Sequence, residues 1–328
     1  MRSPAADAGG AQGADEVVYS VVVPVYGNQD TLGALIARLA EVAAALDGPM
    51  ETVFVVDGSP DGSLAVLQRL LPNAPIASQL VAHSRNFGSF AAIRTGLAVA
   101  RGRYLGVMAA DLQEPPELMR AFFDRLSTGE VDVTVGRRES RSDPALSSAA
   151  SRAFWGLYRR TINREIPAGG VDVFGCTREV ADHLLALDEA HSSLVGLLYW
   201  VGFRREEVPY QRVARTSGSS GWTLKKRVRY LLDSVFSFTD IPISMLTTVG
   251  VCGGLLTVLA AVIVFVGWAT GGIDDPGYTP LMLVVLFATF TILSALGIVG
   301  AYVWRTYENS KGRPLSVAMS HETYDRVG

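Results

Sequence analysis

Val107-Met108-Ala109-Ala110-Asp111-Leu112-Gln113-Glu114-Pro115-Pro116-Glu117 leads from an apolar run that begins at Tyr104 into three oxygen-bearing side chains and then a pair of prolines. The apolar run reads as a buried strand, and the prolines force a turn before the next helix. Such a strand delivers Asp111, Gln113 and Glu114 to its own carboxyl end, the edge at which open α/β sheets bind ligands. One carboxylate with an amide two residues on can hold Mg²⁺ or Mn²⁺ against a diphosphate. Taken alone, the stretch fits equally a strand that stops in an acidic surface turn.

The neighbouring segments repeat the pattern. Residues 17–25, Val-Val-Tyr-Ser-Val-Val-Val-Pro-Val, form an almost unbroken apolar run that suits a strand buried on both faces, and they end in Tyr26-Gly27-Asn28. Leu32, Leu35, Ile36, Leu39 and Leu46 then mark one stripe of a helix. A second strand, 52–56, opens into Asp57-Gly58-Ser59-Pro60-Asp61-Gly62-Ser63. A third, from Ile76, opens into His83-Ser84-Arg85-Asn86-Phe87-Gly88 and a helix over 89–100. Residues 131–135 read as a fifth strand ending at Gly136-Arg137-Arg138. This alternation predicts a Rossmann-like, mostly parallel, doubly wound sheet with its site at the strand carboxyl ends.

The loops at that edge carry the candidate chemistry. Asp57 and Asp61 can accept hydrogen bonds from a base or ribose, although Asp61 and Ser63 serve as well for helix caps. Gly58 and Ser59 are small enough for backbone to approach a ligand closely. Arg85 and Asn86 precede a glycine and a helix start, an arrangement suited to phosphate. Asp172, between valines after Gly169-Gly170, needs a reason to be buried: a structural ion pair or a catalytic role. Residues 192–203 are apolar but too short to cross a membrane, and read as a core or partner-facing helix. The stretch Arg212-Val213-Ala214-Arg215-Thr216-Ser217-Gly218-Ser219-Ser220-Gly221-Trp222 is either a linker or a loop that closes over phosphates.

Composition bounds the rest. Of 328 residues 49% are hydrophobic, more than one soluble core needs, and residues 241–273 and 279–304 contain no Asp, Glu, Lys or Arg. Two transmembrane helices, 241–272 and 279–305, are expected. Before them, over 222–240, Leu224, Val228, Leu231, Leu232 and Val235 share one helical face opposite Lys225, Lys226 and Arg229, as in a helix lying in an anionic membrane surface. Basic residues flank the outer ends of both spans, while Asp274 and Asp275 lie between them. The positive-inside rule therefore puts the globular part, the 306–328 tail and both termini in the cytosol. Gly250, Gly253 and Gly254 permit the close helix contact of a homo-oligomer. A net charge of −3 gives no sign of a nucleic-acid partner, and two cysteines and four histidines form no zinc pattern. Residues 1–15 have no apolar run and read as a disordered leader rather than a signal peptide.

Taken together, Val23-Pro24-Val25-Tyr26, the Asp57 to Ser63 loop, Ser84-Arg85-Asn86-Phe87-Gly88, Asp111-Leu112-Gln113-Glu114-Pro115-Pro116-Glu117 and the paired spans resemble the family 2 glycosyltransferases of the GT-A fold. Within these, the chain is similar to the polyprenyl-phosphate glycosyltransferases. The resemblance implies that Pro24, Tyr26, Asp57 and Arg85 line a nucleotide pocket for a UDP- or GDP-linked sugar. Asp111 and Gln113 would face a Mg²⁺ or Mn²⁺ ion and the donor diphosphate, with Asp111 and Asp172 catalytic. Arg212, Arg215, Gly218, Ser220 and Trp222 would cover the phosphates of donor and acceptor. The implied reaction is inverting transfer to an undecaprenyl-like polyprenyl phosphate, giving a lipid-linked sugar for cell-envelope glycosylation. Alternatives are a transferase acting on a glycan hydroxyl and a non-catalytic nucleotide-sugar-binding scaffold. Three departures stand out: Val56-Asp57 where relatives carry an acidic pair, Ala109 where they place a carboxylate, and Phe174 where an Arg is common.

Overall fold

The computed structural model describes residues 17–138, 165–167, 171–187, 189, 193–212, 235–236, 239, 241–270 and 277–327. The valine-rich runs become strands because β-branched side chains pack well on a pleated surface covered from both sides. β1 (Tyr19–Val25) lies at the centre, with β2 (Met50–Val56) and β4 (Tyr104–Val107) parallel to it on either side, and β3 (Ala77–His83) is parallel to β2. β5 (Val133–Arg138), β6 (Phe174–Thr177) and β7 (Arg205–Tyr210) extend the sheet beyond β4, and β8 (Ala318–Tyr324) closes the other edge. The order is β7-β5-β6-β4-β1-β2-β3-β8, with β6 antiparallel to β4 and β5 and β8 antiparallel to β3. The expected mostly parallel sheet is thus mixed.

Alternation of side chains on each strand sorts the core into two layers. Val21, Val23, Val25 and Phe54 pack under α1 (Leu32–Ala44), α2 (Ser63–Leu70) and α4 (Glu117–Ser127). On the opposite face Val22, Val53 and Val55 pack under α3 (Ser89–Val99), α5 (Arg178–Ala186) and α6 (Leu194–Trp200). Helix α6 is the expected short core helix: Leu197 and Leu198 are buried, while Trp200 is exposed.

Two expectations shift. The fifth strand starts at Val133 rather than 131 and runs on through Arg138, so that side chain leaves from the strand itself. The tail over 306–328, expected only to lie in the cytosol, contains β8. Its sequence, Ala-Met-Ser-His-Glu-Thr-Tyr, has little apolar pattern because it forms an edge strand held chiefly by the backbone of β3.

Two long helices precede that tail: α7 (Ile241–Ala269) and α8 (Tyr278–Ser310). They meet at Gly253, where an added Cβ would lie 4.0 Å from Phe287 Cε1. Among the described residues, Phe287–Ser310 is long and apolar enough to cross a membrane, and Ile241–Gly253 is shorter. The leader over 1–15 and most of the amphipathic helix over 222–240 lie outside the described residues. Of the latter, Phe236 is described, 5.4 Å from the Tyr302 ring.

Candidate active site

The carboxyl ends of β1 and β2 are laced together by short polar side chains and backbone amides. Gly27 N donates to Ser59 Oγ at 2.8 Å, Gln29 N to Asp61 Oδ2 at 3.1 Å, and Gly62 N to Gln29 Oε1 at 2.8 Å. Burial alone would raise the Asp61 carboxyl, but hydrogen bonds from Ser59, Ser63 and Gln29 outweigh it and bring Asp61 down to about 2. Asp61 accepts from Ser63 N at 3.1 Å. It therefore fastens two loops as well as the turn into α2.

Asp57 is buried, and both of its carboxylate oxygens have partners. Its Oδ1 receives Phe87 N at 2.8 Å and lies 2.8 Å from His83 Nδ1, and its Oδ2 receives Gly88 N at 2.7 Å. Expected to read a base or ribose, it holds the loop after β3. Gly58, expected to admit a ligand, admits that same loop: with φ at +57°, a Cβ there would fall 2.3 Å from the Arg85 carbonyl carbon. Arg85 is exposed, its guanidinium 4.0 Å from the Phe87 ring centroid. Tyr26 is 52% exposed at the tip of β1 and open to a ligand; Pro24 is half-buried just before it.

The stretch after β4 turns sharply. Leu112 has φ of 56°, a left-handed conformation uncommon outside glycine that recurs where a fold holds functional groups in place. The turn leaves Asp111 and Gln113 half-buried and puts Glu114 inside, 1% exposed. Gln113 N donates to Asp111 Oδ1 at 3.2 Å, and Arg212 Nη2 donates to Gln113 Oε1 at 2.6 Å. Arg212 Nε lies 3.3 Å from Glu114 Oε1, paired by charge but misaligned for a hydrogen bond, and both Glu114 oxygens lack a hydrogen-bond partner among the described residues. Burial, then the charges of Asp172 and Asp111, push the Glu114 carboxyl up to about 7 against the pull of Arg212 and Arg138. Glu114, expected with Asp111 and Gln113 at the ligand edge, is there but buried, which its place beside two prolines did not signal.

Asp172, expected to be buried, is exposed just ahead of β6 and forms an ion pair with Arg138 at the end of β5. The chain has Phe174 rather than an arginine two residues on, and the guanidinium comes from the adjacent strand. The structure thus brings Asp111, Gln113, Glu114, Asp172, Arg138 and Arg212 together. Arg215, Gly218, Ser220 and Trp222 lie outside the described residues.

No group of three or more His, Cys, Asp or Glu side chains able to hold a metal occurs among the described residues. What the site offers is sparser: Asp111, and behind it the two Glu114 oxygens without hydrogen bonds. These are hard oxygen donors of the kind Mg²⁺ or Mn²⁺ takes when phosphates and waters complete its shell, and a cation here would relieve the repulsion between the two carboxylates. Gln113, expected as the second ligand, accepts from Arg212 Nη2 through its side-chain oxygen.

Comparison with known proteins gives the family. Residues 20–182 match the family described as Glycosyl transferase family 2. The uncharacterized glycosyltransferase sll0501 of Synechocystis sp. is 33% identical over 300 residues, 91% of this chain and 94% of its own. The putative glycosyltransferase CsbB of Bacillus subtilis is 30% identical over 90% of each chain. The bactoprenol glucosyl transferase of Shigella phage SfV is 27% identical over 90% of this chain and 96% of its own. With a sheet whose ligand edge carries these loops and with relatives matched along nearly their whole length, the chain belongs to glycosyl transferase family 2 and is a glycosyltransferase of the GT-A fold.

Proposed function

We propose that the protein transfers a sugar, with inversion, from a UDP- or GDP-linked donor to the phosphate of a polyprenyl lipid. It does so at the cytoplasmic face of a membrane spanned by both α7 and α8. The observation that carries this reading is where the chain goes after α8. Ser316, six positions past Ser310, is bound to α3, and Val317 to the residue after β3, beside the candidate site: Ser316 Oγ is 2.8 Å from Thr95 Oγ1, and Ser84 N donates to Val317 O at 3.0 Å. Six residues of chain span at most about 22 Å, so the ligand edge of the sheet is held within that distance of the helix end.

The end of α8 has the character of a membrane interface. Lys311 Nζ lies 4.4 Å from the Tyr307 ring centroid and 5.3 Å from that of Trp304, and Arg305 lies 5.1 Å from Phe236. Rings and cations of this kind gather at headgroup level. Leu255, Leu259, Ile263, Leu281, Leu293 and Leu296 present exposed apolar surface along both helices, which lipid would cover. The name of the phage relative, a bactoprenol glucosyl transferase, supports a polyprenyl acceptor.

The chemistry of a phosphate acceptor suits the site. A phosphate monoester, with a second pKa of ~6, is largely dianionic at neutral pH and attacks without a strong base. A sugar hydroxyl would need one, whereas Asp172 is held by Arg138 and Glu114 is buried beside Arg212. In the reaction a phosphate oxygen bonds to the anomeric carbon, the bond from that carbon to the diphosphate breaks, and the nucleoside diphosphate leaves with the electron pair. Arg212 offsets the charge of the meeting phosphates. Mg²⁺ or Mn²⁺ held by Asp111 and Glu114 would stabilise the departing diphosphate. Asp172 positions the acceptor by holding the Arg138 guanidinium, whose positive charge attracts the acceptor phosphate. Membranes carrying the protein, incubated with labelled UDP- and GDP-sugars, should yield label in an organic extract; no label there with any donor would overturn the reading.

A further inference from the structure

His83 ends β3 with its side chain fully buried. Its Nδ1 is 2.8 Å from Asp57 Oδ1, its Nε2 is 2.9 Å from Thr95 Oγ1, and Thr95 Oγ1 is 2.8 Å from Ser316 Oγ. A carboxylate only accepts, so Nδ1 carries the hydrogen directed at Asp57. In the neutral ring Nε2 then accepts from the Thr95 hydroxyl, and Thr95 accepts from Ser316. With the ring in that form, donation runs one way, from Ser316 through Thr95 and His83 to Asp57, and in either form the four side chains make one continuous hydrogen-bonded chain; Asp57 in turn gathers the Phe87 and Gly88 amides.

We infer that Ser316, Thr95 and His83 are positioning residues of the nucleotide pocket, so that the segment following the membrane helix sets affinity for the nucleoside diphosphate. The inference rests on the reading that the loop over 84–88 borders the donor. The geometry concentrates the tail's influence there. β8 pairs along β3 until a shift of register between Ala82 and His83, after which His83 registers with Ala318 and Ser84 N donates to Val317 O. Gly88, at φ of +100°, starts α3, so the Asp57 carboxylate fixes both the loop and the first turn of that helix. Thr95 lies on α3 as well, and the chain of hydroxyls bolts this helix to the tail. Movement of the tail away from β3 would free His83 on one side and loosen Asp57 on the other, which ties donor binding to the anchored state of the protein.

The test uses the full chain in detergent and titrates UDP and GDP, each with Mg²⁺, into wild type, Ser316→Ala, Thr95→Val, His83→Leu and Met319→Ala. Met319 is an exposed residue of β8 and serves as the control. Ser316→Ala and Thr95→Val should each raise the dissociation constant of the bound nucleotide by about three- to tenfold, the scale of one lost hydrogen bond. Met319→Ala should not, and the acceptor KM should stay unchanged throughout. Adding Ser316→Ala to His83→Leu should cost nothing further, because the chain is already cut. Wild-type nucleotide affinity in both hydroxyl variants, or donor and acceptor constants rising together, would overturn the inference. A wild type that binds neither nucleotide would instead overturn the donor-site reading on which it rests.

Discussion

Replacing Glu114 with Gln should make the ligand-free protein more stable and the enzyme slower. The Glu114 carboxyl is pushed up to about 7 from an ordinary 4.5. Below pH 4.5 folded and unfolded chains both carry the proton, and burial of the neutral acid costs nothing through this group. As pH rises from 4.5 to 7 the unfolded chain ionises freely while the folded one resists, and stability is lost; above 7 the loss is constant at about 3 kcal/mol. Gln has the shape and neutrality of the protonated acid and escapes that loss. With Mg²⁺ chelated and nucleotide absent, thermal unfolding followed by tryptophan fluorescence should show Glu114→Gln about 6–12 °C above wild type at pH 8, for a catalytic domain of about 200 residues. At pH 5 the advantage should fall below about 1 kcal/mol. Turnover should drop, since the variant lacks the charge that pairs with Arg212 and the oxygens offered to a cation; stability and activity would then oppose each other at this position. A variant less stable than wild type at pH 8, or an advantage independent of pH, would refute the account of Glu114 as a buried, repelled carboxylate.

Other perturbations probe the rest of the site. Gly58→Ala drives a Cβ against the Arg85 backbone and should destabilise by about 1–3 kcal/mol in denaturant titration, with nucleotide binding lost alongside. Asp61→Asn should lower the melting temperature at neutral pH. The wild-type advantage, whole above the ordinary value of 3.8, should close as pH falls towards about 2, because the Asp61 carboxylate is what the Ser59, Ser63 and Gln29 groups stabilise. Asp111→Ala should abolish transfer and weaken Mn²⁺ binding read directly by paramagnetic resonance; chelation of wild type should stop transfer, and Mg²⁺ or Mn²⁺ should restore it.

The parallel half of the sheet was legible because residues 17–25 and 52–56 must be buried on both faces, and only consecutive apolar side chains satisfy that. The antiparallel additions were not. β6 is a four-residue strand, and β8 has a polar run from Ser320 to Thr323 at its centre, so neither has an apolar period to detect. At the site, the stretch from Asp111 to Glu114 was identifiable as a ligand edge because polar residues follow an apolar run at once. The partners were hidden in sequence distance. Asp57 looks free until amides 30 and 31 residues later fold onto it, and Arg138 finds Asp172 across 34 residues. Glu114 shows the limit most clearly, because a carboxylate beside two prolines reads as solvated and only the left-handed turn at Leu112 carries it inward.

The central claim is that the acceptor is a phosphate that needs no base. It is tested most directly by offering the purified protein, with its donor sugar nucleotide and Mg²⁺, a polyprenyl phosphate and the matching polyprenol side by side. Sugar on the phosphate and none on the alcohol is the predicted result, while comparable transfer to the alcohol, or transfer only to a water-soluble glycan, would contradict it.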